Sequence, residues 1–144
     1  MSDRVSTMGG REFYMKSASA GADNDRFLPN IDTKGAREVG IAVNLSPFAY
    51  SSTNKLKFEL QHSDTATSSD YEDVPHAEIV GGDGATDGLL VEQASTVAPN
   101  TSVKHKFNYR GSKRYIRVGT DVTGATTGDF GVAVMVSTLR EQPR

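Results

Sequence analysis

His62, His76 and His105 are the first residues to weigh for chemistry. None stands in a metal-ligand spacing such as His-x-His or His-Glu-x-x-His. His62-Ser63-Asp64 contains the residue types of a hydrolytic triad. Adjacent residues at a strand end cannot converge on one point, because successive side chains face opposite ways, so no catalytic residue is expected there. His105 falls on the inward side of an alternating run and reads as a buried, hydrogen-bonded histidine. Asp64, Asp70, Glu72 and Asp73 form one acidic cluster, and Asp83 and Asp87 another. Calcium requires about six to eight convergent oxygens. Residues 81–88, GGDGATDG, lack the spaced Asp ladder that supplies them and read as a solvated loop. Their glycines do not open a helix after a strand, so phosphate binding is not expected. The chain has no Cys, which excludes disulfides, thiolate metal sites and Cys nucleophiles. No cofactor and no metal are expected.

The marked charge bias lies in residues 104–117, where Lys104, Lys106, Arg110, Lys113, Arg114 and Arg117 occur with no acid until Asp121. If the two strands carrying them pair side by side, these cations form one patch. Like charges directly opposite are mildly destabilising, so such a patch is better understood if it meets acids, on this chain or on another. Tyr109 and Tyr115 interleave with it, as in single-stranded nucleic-acid binders. The net charge of −2 and the lack of a stacking platform argue against nucleic acid, which leaves an acidic protein partner or a plain solvated face.

The elements that position these residues read as strands. In residues 37–45 Val39, Ile41, Val43 and Leu45 share one face, and in residues 55–61 Leu56, Phe58 and Leu60 do the same. Short strands are expected at residues 71–74, 76–80 and 89–93, between loops rich in Ser, Thr, Asp and Gly. Residues 104–139 read as three consecutive antiparallel strands joined by two turns. The last is Val-rich, with both faces apolar or small, which suits a central or interface strand. No segment has convincing helical periodicity. The expected fold is all-β, a jelly-roll or Greek-key β-sandwich of about eight strands over residues 37–144.

Residues 1–36 are weakly patterned and are expected to form an extended N-terminal arm with one or two short edge strands. Phe13, Tyr14, Phe27 and Leu28 are its apolar anchors. The chain of 144 residues is 36% hydrophobic, with no Trp and 14 Gly, which favours short strands and polar loops over a helical bundle. Its first residues show no signal-peptide core and no run is long enough to span a membrane, so synthesis in the cytosol is expected.

KFELQHSDTATSSDYEDVP, followed by KRYIRVGTDVTGATTG and a Val-rich last strand, resembles the jelly-roll cement (decoration) proteins of tailed-bacteriophage capsids, as in a Bordetella podophage. The resemblance covers roughly residues 55–139. It implies a viral structural protein without enzymatic activity that binds the outside of the major capsid protein shell and clamps its subunits. The implied location is the outer surface of the virion, assembled in host cytoplasm, with no membrane and no direct nucleic-acid contact. A homo-oligomer is implied, a dimer before a trimer, with the last strand or an edge strand as its contact. The residues expected to touch partners are Phe13, Tyr14, Phe27 and Leu28 of the arm, with Lys104, Lys106, Arg114 and Arg117 of the basic strands. The alternative is a non-catalytic carbohydrate-binding jelly-roll module.

Overall fold

The computed structural model describes residues 4–8, 11–19, 26–34, 36–82, 86–124, 126 and 128–138. In chain order the strands are β1 (Arg4–Met8), β2 (Arg11–Ser19), β3 (Arg26–Phe27), β4 (Ile31–Asp32), β5 (Ala36–Leu45), β6 (Lys55–Ser63), β7 (Glu72–Asp73), β8 (Ile79–Val80), β9 (Leu89–Gln93), β10 (Val103–Tyr109), β11 (Tyr115–Thr123) and β12 (Asp129–Thr138). Eight of these have five residues or more, and the other four only two. Helical structure among the described residues is limited to single 3-10 turns at Ser68–Asp70 and His76–Glu78.

Two antiparallel sheets face each other. The first runs β1-β2-β12-β5-β10-β8, and the second β3-β11-β6-β7, with β4 also on β11 and β9 also on β6. From β8 onward each successive strand changes sheet, which gives the jelly-roll sandwich. The period-two pattern explains why these segments lie where they do. Val39, Ile41, Val43 and Leu45 of β5 and Leu56, Phe58 and Leu60 of β6 are all at most 4% exposed. They meet Val132, Val134 and Val136 of β12 and Ile116 and Val118 of β11 in one core. Phe58 packs edge-on against Phe130 across it, ring centroids 5.2 Å apart. β12 sits between β2 and β5, the central position that its two apolar faces demand.

Within residues 1–36, β1 and β2 form a hairpin, with Arg4 opposite Met15 and Met8 opposite Arg11. β2 continues the first sheet along β12, from Ser19 opposite Asp129 to Arg11 opposite Ser137. β3 and β4 then join the second sheet on β11. Both edges of β12 are thereby taken, so the last strand is not the exposed edge of a dimer contact. β1 and β8 bound its sheet.

The three strands of residues 104–139 form as expected, but the hairpins between them do not. β10 pairs with β5 and β8, whereas β11 pairs with β6 in the opposite sheet. Strand periodicity leaves the partner open, because the same inward face suits either sheet. The crossing is set by tertiary bonds. The Lys113 amide donates to the Tyr109 hydroxyl at 3.3 Å, and the Arg110 amide donates to the Glu78 carbonyl at 2.7 Å. These hold residues 110–114 across the end of the sandwich.

Candidate functional site

The basic run divides at that crossing. Lys104 and Lys106 project from β10 on the first sheet, while Arg114 and Arg117 belong to the second. The single patch expected from side-by-side pairing is therefore not present. The two halves have different surroundings.

On the second sheet the cations are engaged by the chain's own loop. Arg117 is only 9% exposed. Its guanidinium carbon lies 3.9 Å from the Phe27 ring centre and 4.1 Å from that of Tyr71, a cation held between two rings. Nε and Nη2 donate to Gln61 Oε1 at 3.0 and 2.7 Å, and Nη1 donates to Ser68 Oγ at 3.1 Å. Burial pulls its pKa down, yet a guanidinium stays charged at any ordinary pH. Lys113 Nζ lies 2.8 Å from Glu72 Oε1 and 3.6 Å from Asp64 Oδ2. Its hydrogen bond holds the Glu72 carboxyl below the usual range. Arg114 donates twice to Asp32, Nε to Oδ1 at 3.0 Å and Nη2 to Oδ2 at 2.8 Å, which lowers the Asp32 pKa. Asn30 Nδ2 donates to the Ala66 carbonyl at 3.1 Å. Residues 64–72 are thus strapped across β11. The QHSD and DYEDV segments and the KRYIRV strand, far apart in sequence, are one clamped unit.

Phe27 completes the clamp from the other side. A Cβ placed on Gly119 would lie 2.5 Å from Phe27 Cε1, so the ring lies directly over this glycine. Gly119→Ala is expected to push Phe27 off the sheet and to cost about 1 kcal/mol, a modest overpacking penalty because the ring can swing toward water. A urea titration reads this as a lower midpoint at unchanged slope.

Beneath the crossing lies a buried polar pair. His62 Nδ1 is 2.8 Å from the Tyr109 hydroxyl, and His62 Nε2 is 3.6 Å from Glu72 Oε1. The Tyr109 oxygen already accepts from the Lys113 amide, so its own proton is available to Nδ1, which assigns the imidazole proton to Nε2. Burial lowers the His62 pKa and pushes that of Tyr109 up to about 12. The triad residue types are directed to three different partners. His62 meets Tyr109, Ser63 Oγ accepts from the Thr65 amide, and Asp64 reaches Lys113. His105 is half-buried, 3.4 Å from Gln93 Oε1, and His76 pairs with Asp87 at 2.9 Å. Among the described residues no three His, Asp or Glu side chains converge as metal ligands. A cleft of about 620 Å³ at the crossing is lined by Lys34, Glu38, Tyr109, Arg110, Lys113 and Arg114 among others.

Of the expected contact residues, Phe27 is 43% exposed, and Leu28 packs partly against the core while its amide donates to the Val118 carbonyl at 2.8 Å. Phe13 and Tyr14 lie on β2 opposite Met135 and Val134, and their side chains are outside the described residues. Lys104 and Lys106 are exposed, with no ion pair or hydrogen bond among the described residues. Sequence reasoning missed Tyr71, Gln61, Ser68 and Asp32 as partners of the basic strand. The nearby acidic loop was the available signal, since a cationic strand needs acids from some quarter.

No family model matches the sequence, and no curated protein matches it either. Among solved structures, similarity is found to a Bacillus endospore appendage described as a disulfide-linked pilus, at 11% identity and a TM-score of 0.36, covering 96% of this chain and 92% of that one. The CBM22-1–GH10 modules of a Clostridium thermocellum xylanase, complexed with xylohexaose, give 12% identity and a TM-score of 0.44, with 99% of this chain matched to 26% of that one. The CBM22-1 xylan-binding domain of Paenibacillus barcinonensis Xyn10C gives 15% identity and a TM-score of 0.42 over 96% of this chain and 83% of that one. At these values no residue role and no ligand carries over from those proteins to this chain.

Proposed function

We propose that this protein is a non-catalytic capsid cement (decoration) protein, which binds the outside of a bacteriophage head and reinforces it. The observation that carries this reading is the use made of its reactive residue types. His62, Asp64, Glu72, Lys113 and Arg117 are engaged with one another, with Tyr109 or with residues 61–71, in holding a loop to a sheet. This uses the two resembling segments as a rigid structural unit and supports an architectural role for both. On this reading the partner is the major capsid protein, the site of action is the virion surface, and the chain acts as a homo-oligomer, a dimer before a trimer. A contact repeated many times on a shell can be individually weak, because linked engagement multiplies the total. Binding to the assembled shell also stabilises the folded chain by mass action.

The test is to heat purified heads with and without the protein while following DNA release. Heads lacking it are expected to open at a lower temperature, and equal resistance refutes the role.

One observation favours the alternative of a carbohydrate-binding module. Phe27, 43% exposed, lies near Tyr71 through their shared contact with Arg117, and a sugar ring stacks on such aromatic faces. Its inner face, however, already lies against Gly119 and the Arg117 guanidinium. A glycan array with specific hits abolished by Phe27→Ala would establish the alternative.

A further inference from the structure

We infer that the solvent face of the β12–β5–β10 sheet is a docking surface for an acidic protein surface, with Lys104 and Lys106 as its charged anchors. This rests on the decoration reading for who the partner is, and on the geometry alone for where it docks.

Small residues occupy the middle of the face, Gly40 and Ala42 on β5 with Ala133 beside them on β12. Ala133, Ala42 and Lys106 lie in one row across the three strands, and Met135, Gly40 and Asn108 in the next. A Cβ placed on Gly40 would lie 3.8 Å from both Asn108 Oδ1 and Met135 Cε, so these two side chains are within van der Waals reach of the space above Gly40. Val80, opposite Asn108 on β8, extends the apolar strip and is 44% exposed. Methionine is adaptable at such surfaces, and alanine and glycine let another surface approach closely.

Charge selects the occupant. On the second sheet each outward lysine has acids on this chain: Lys55 with Glu92, Lys57 with Glu59 and Asp121. Among the described residues Lys104 and Lys106 have no ion pair, although they lie on the same face of one strand at mutual electrostatic cost and Glu38 and Asp129 are exposed on the same side of the sheet. An acidic surface laid on this face removes that repulsion and supplies the missing partners. The chain's net charge of −2 argues against nucleic acid as the occupant. Three strands spaced about 4.8 Å and roughly seven residues long present on the order of 300 Å². That is well below the roughly 800 Å² per partner of a stable pairwise complex, so the contact suits a repeated array.

The experiment has two arms. In the first, amide shifts of the labelled chain are followed during titration with poly-L-glutamate, and separately with oligothymidylate. Poly-L-glutamate is expected to shift β10 and its neighbours on β5. The response should be abolished in Lys104→Glu/Lys106→Glu and weakened at least about tenfold at high salt, because exposed charges are screened. Shifts centred instead on Lys34 and Arg110, or a stronger response to oligothymidylate, overturn the inference.

In the second arm, capsids depleted of the protein are rebound with wild type, with Lys104→Glu/Lys106→Glu and with Ala133→Arg. Both variants are expected to bind at least about tenfold more weakly. Ala133→Arg adds a positive charge, so its loss reports the need for small residues on the face rather than for net charge. Rebinding of both at wild-type strength overturns the docking face and leaves the decoration reading standing. Failure of wild type to rebind, with the poly-L-glutamate footprint in place, overturns the decoration reading and leaves the face. A dimer in sedimentation that the double substitution dissociates makes a second copy the occupant, and the acidic-partner inference falls.

Discussion

Arg117→Ala is expected to lower the unfolding free energy by about 3 kcal/mol, and Arg117→Lys to lose most of the same amount. The side chain is nearly buried between two aromatic rings and donates to Gln61 and Ser68. A desolvated cation–π contact is worth up to about 2 kcal/mol, and a hydrogen bond from a charged group about 1.5–3 kcal/mol. Burying the guanidinium offsets part of that sum, which leaves a net of about 3 kcal/mol. Lysine keeps the charge but has neither the planar face to fill the gap between Phe27 and Tyr71 nor the fork that reaches Gln61 and Ser68. Denaturant unfolding measures the loss. Amide exchange locates it, with faster exchange expected in residues 64–71 and 26–28 while β5 and β12 stay protected. An Arg117→Lys variant as stable as wild type would show that charge alone holds the clamp.

Tyr109→Phe is the second large effect, at about 2 kcal/mol. The ring remains, but His62 Nδ1 is left buried without its donor and the Lys113 amide loses its acceptor. The pH dependence distinguishes this from simple loosening. Burial lowers the folded-state pKa of His62 below the ordinary imidazole value of 6.5, so below neutrality the unfolded chain binds a proton that the folded chain refuses. Stability therefore falls as pH falls below about 6.5. The Tyr109 hydroxyl stabilises the neutral imidazole, opposed by Glu72, Glu78 and Asp64 and assisted by Lys113. Removing the hydroxyl lets His62 protonate more readily, so the acid slope becomes shallower in the variant. At the alkaline end the wild-type phenol is raised from 10.0 to about 12, so stability is lost as pH rises through that window. The phenylalanine variant lacks this component. Unfolding free energies measured across the pH range check both limbs. An acid slope unchanged by the substitution would show that the hydroxyl does not control His62.

The site was only partly readable in advance. Residues 104–117 stood out as cationic, a patch more readily understood if it meets acids than as a solvated face. Those acids divide by tertiary placement. Lys113 and Arg114 find Glu72, Asp64 and Asp32 on this chain, and Arg117 finds two rings and an amide. Lys104 and Lys106 find none among the described residues. Tyr71 and Phe27 gave no local sign of their role, because a cation held between rings is assembled from three separate stretches of chain. The His62–Tyr109 bond joins residues 47 positions apart, a pairing that neither residue's neighbourhood foretells.

Alternation of apolar and polar residues by itself determined that β5 and β6 are strands and which of their faces is buried; in β11 residues 116–120 are all buried, Arg117 among them, which alternation does not show. Side-chain direction in a strand is a local property with a period of two, and the loss of apolar surface to water enforces it wherever the strand lies. Only the tertiary structure decided that β10 and β11 belong to opposite sheets. A strand's inward face satisfies either sheet equally, so its partner is chosen by the summed packing and hydrogen bonding of distant segments. Here the choice is expressed in the Tyr109 and Glu78 bonds that carry residues 110–114 across the sandwich. One basic run thereby became an internal clamp on one sheet and a pair of exposed lysines on the other.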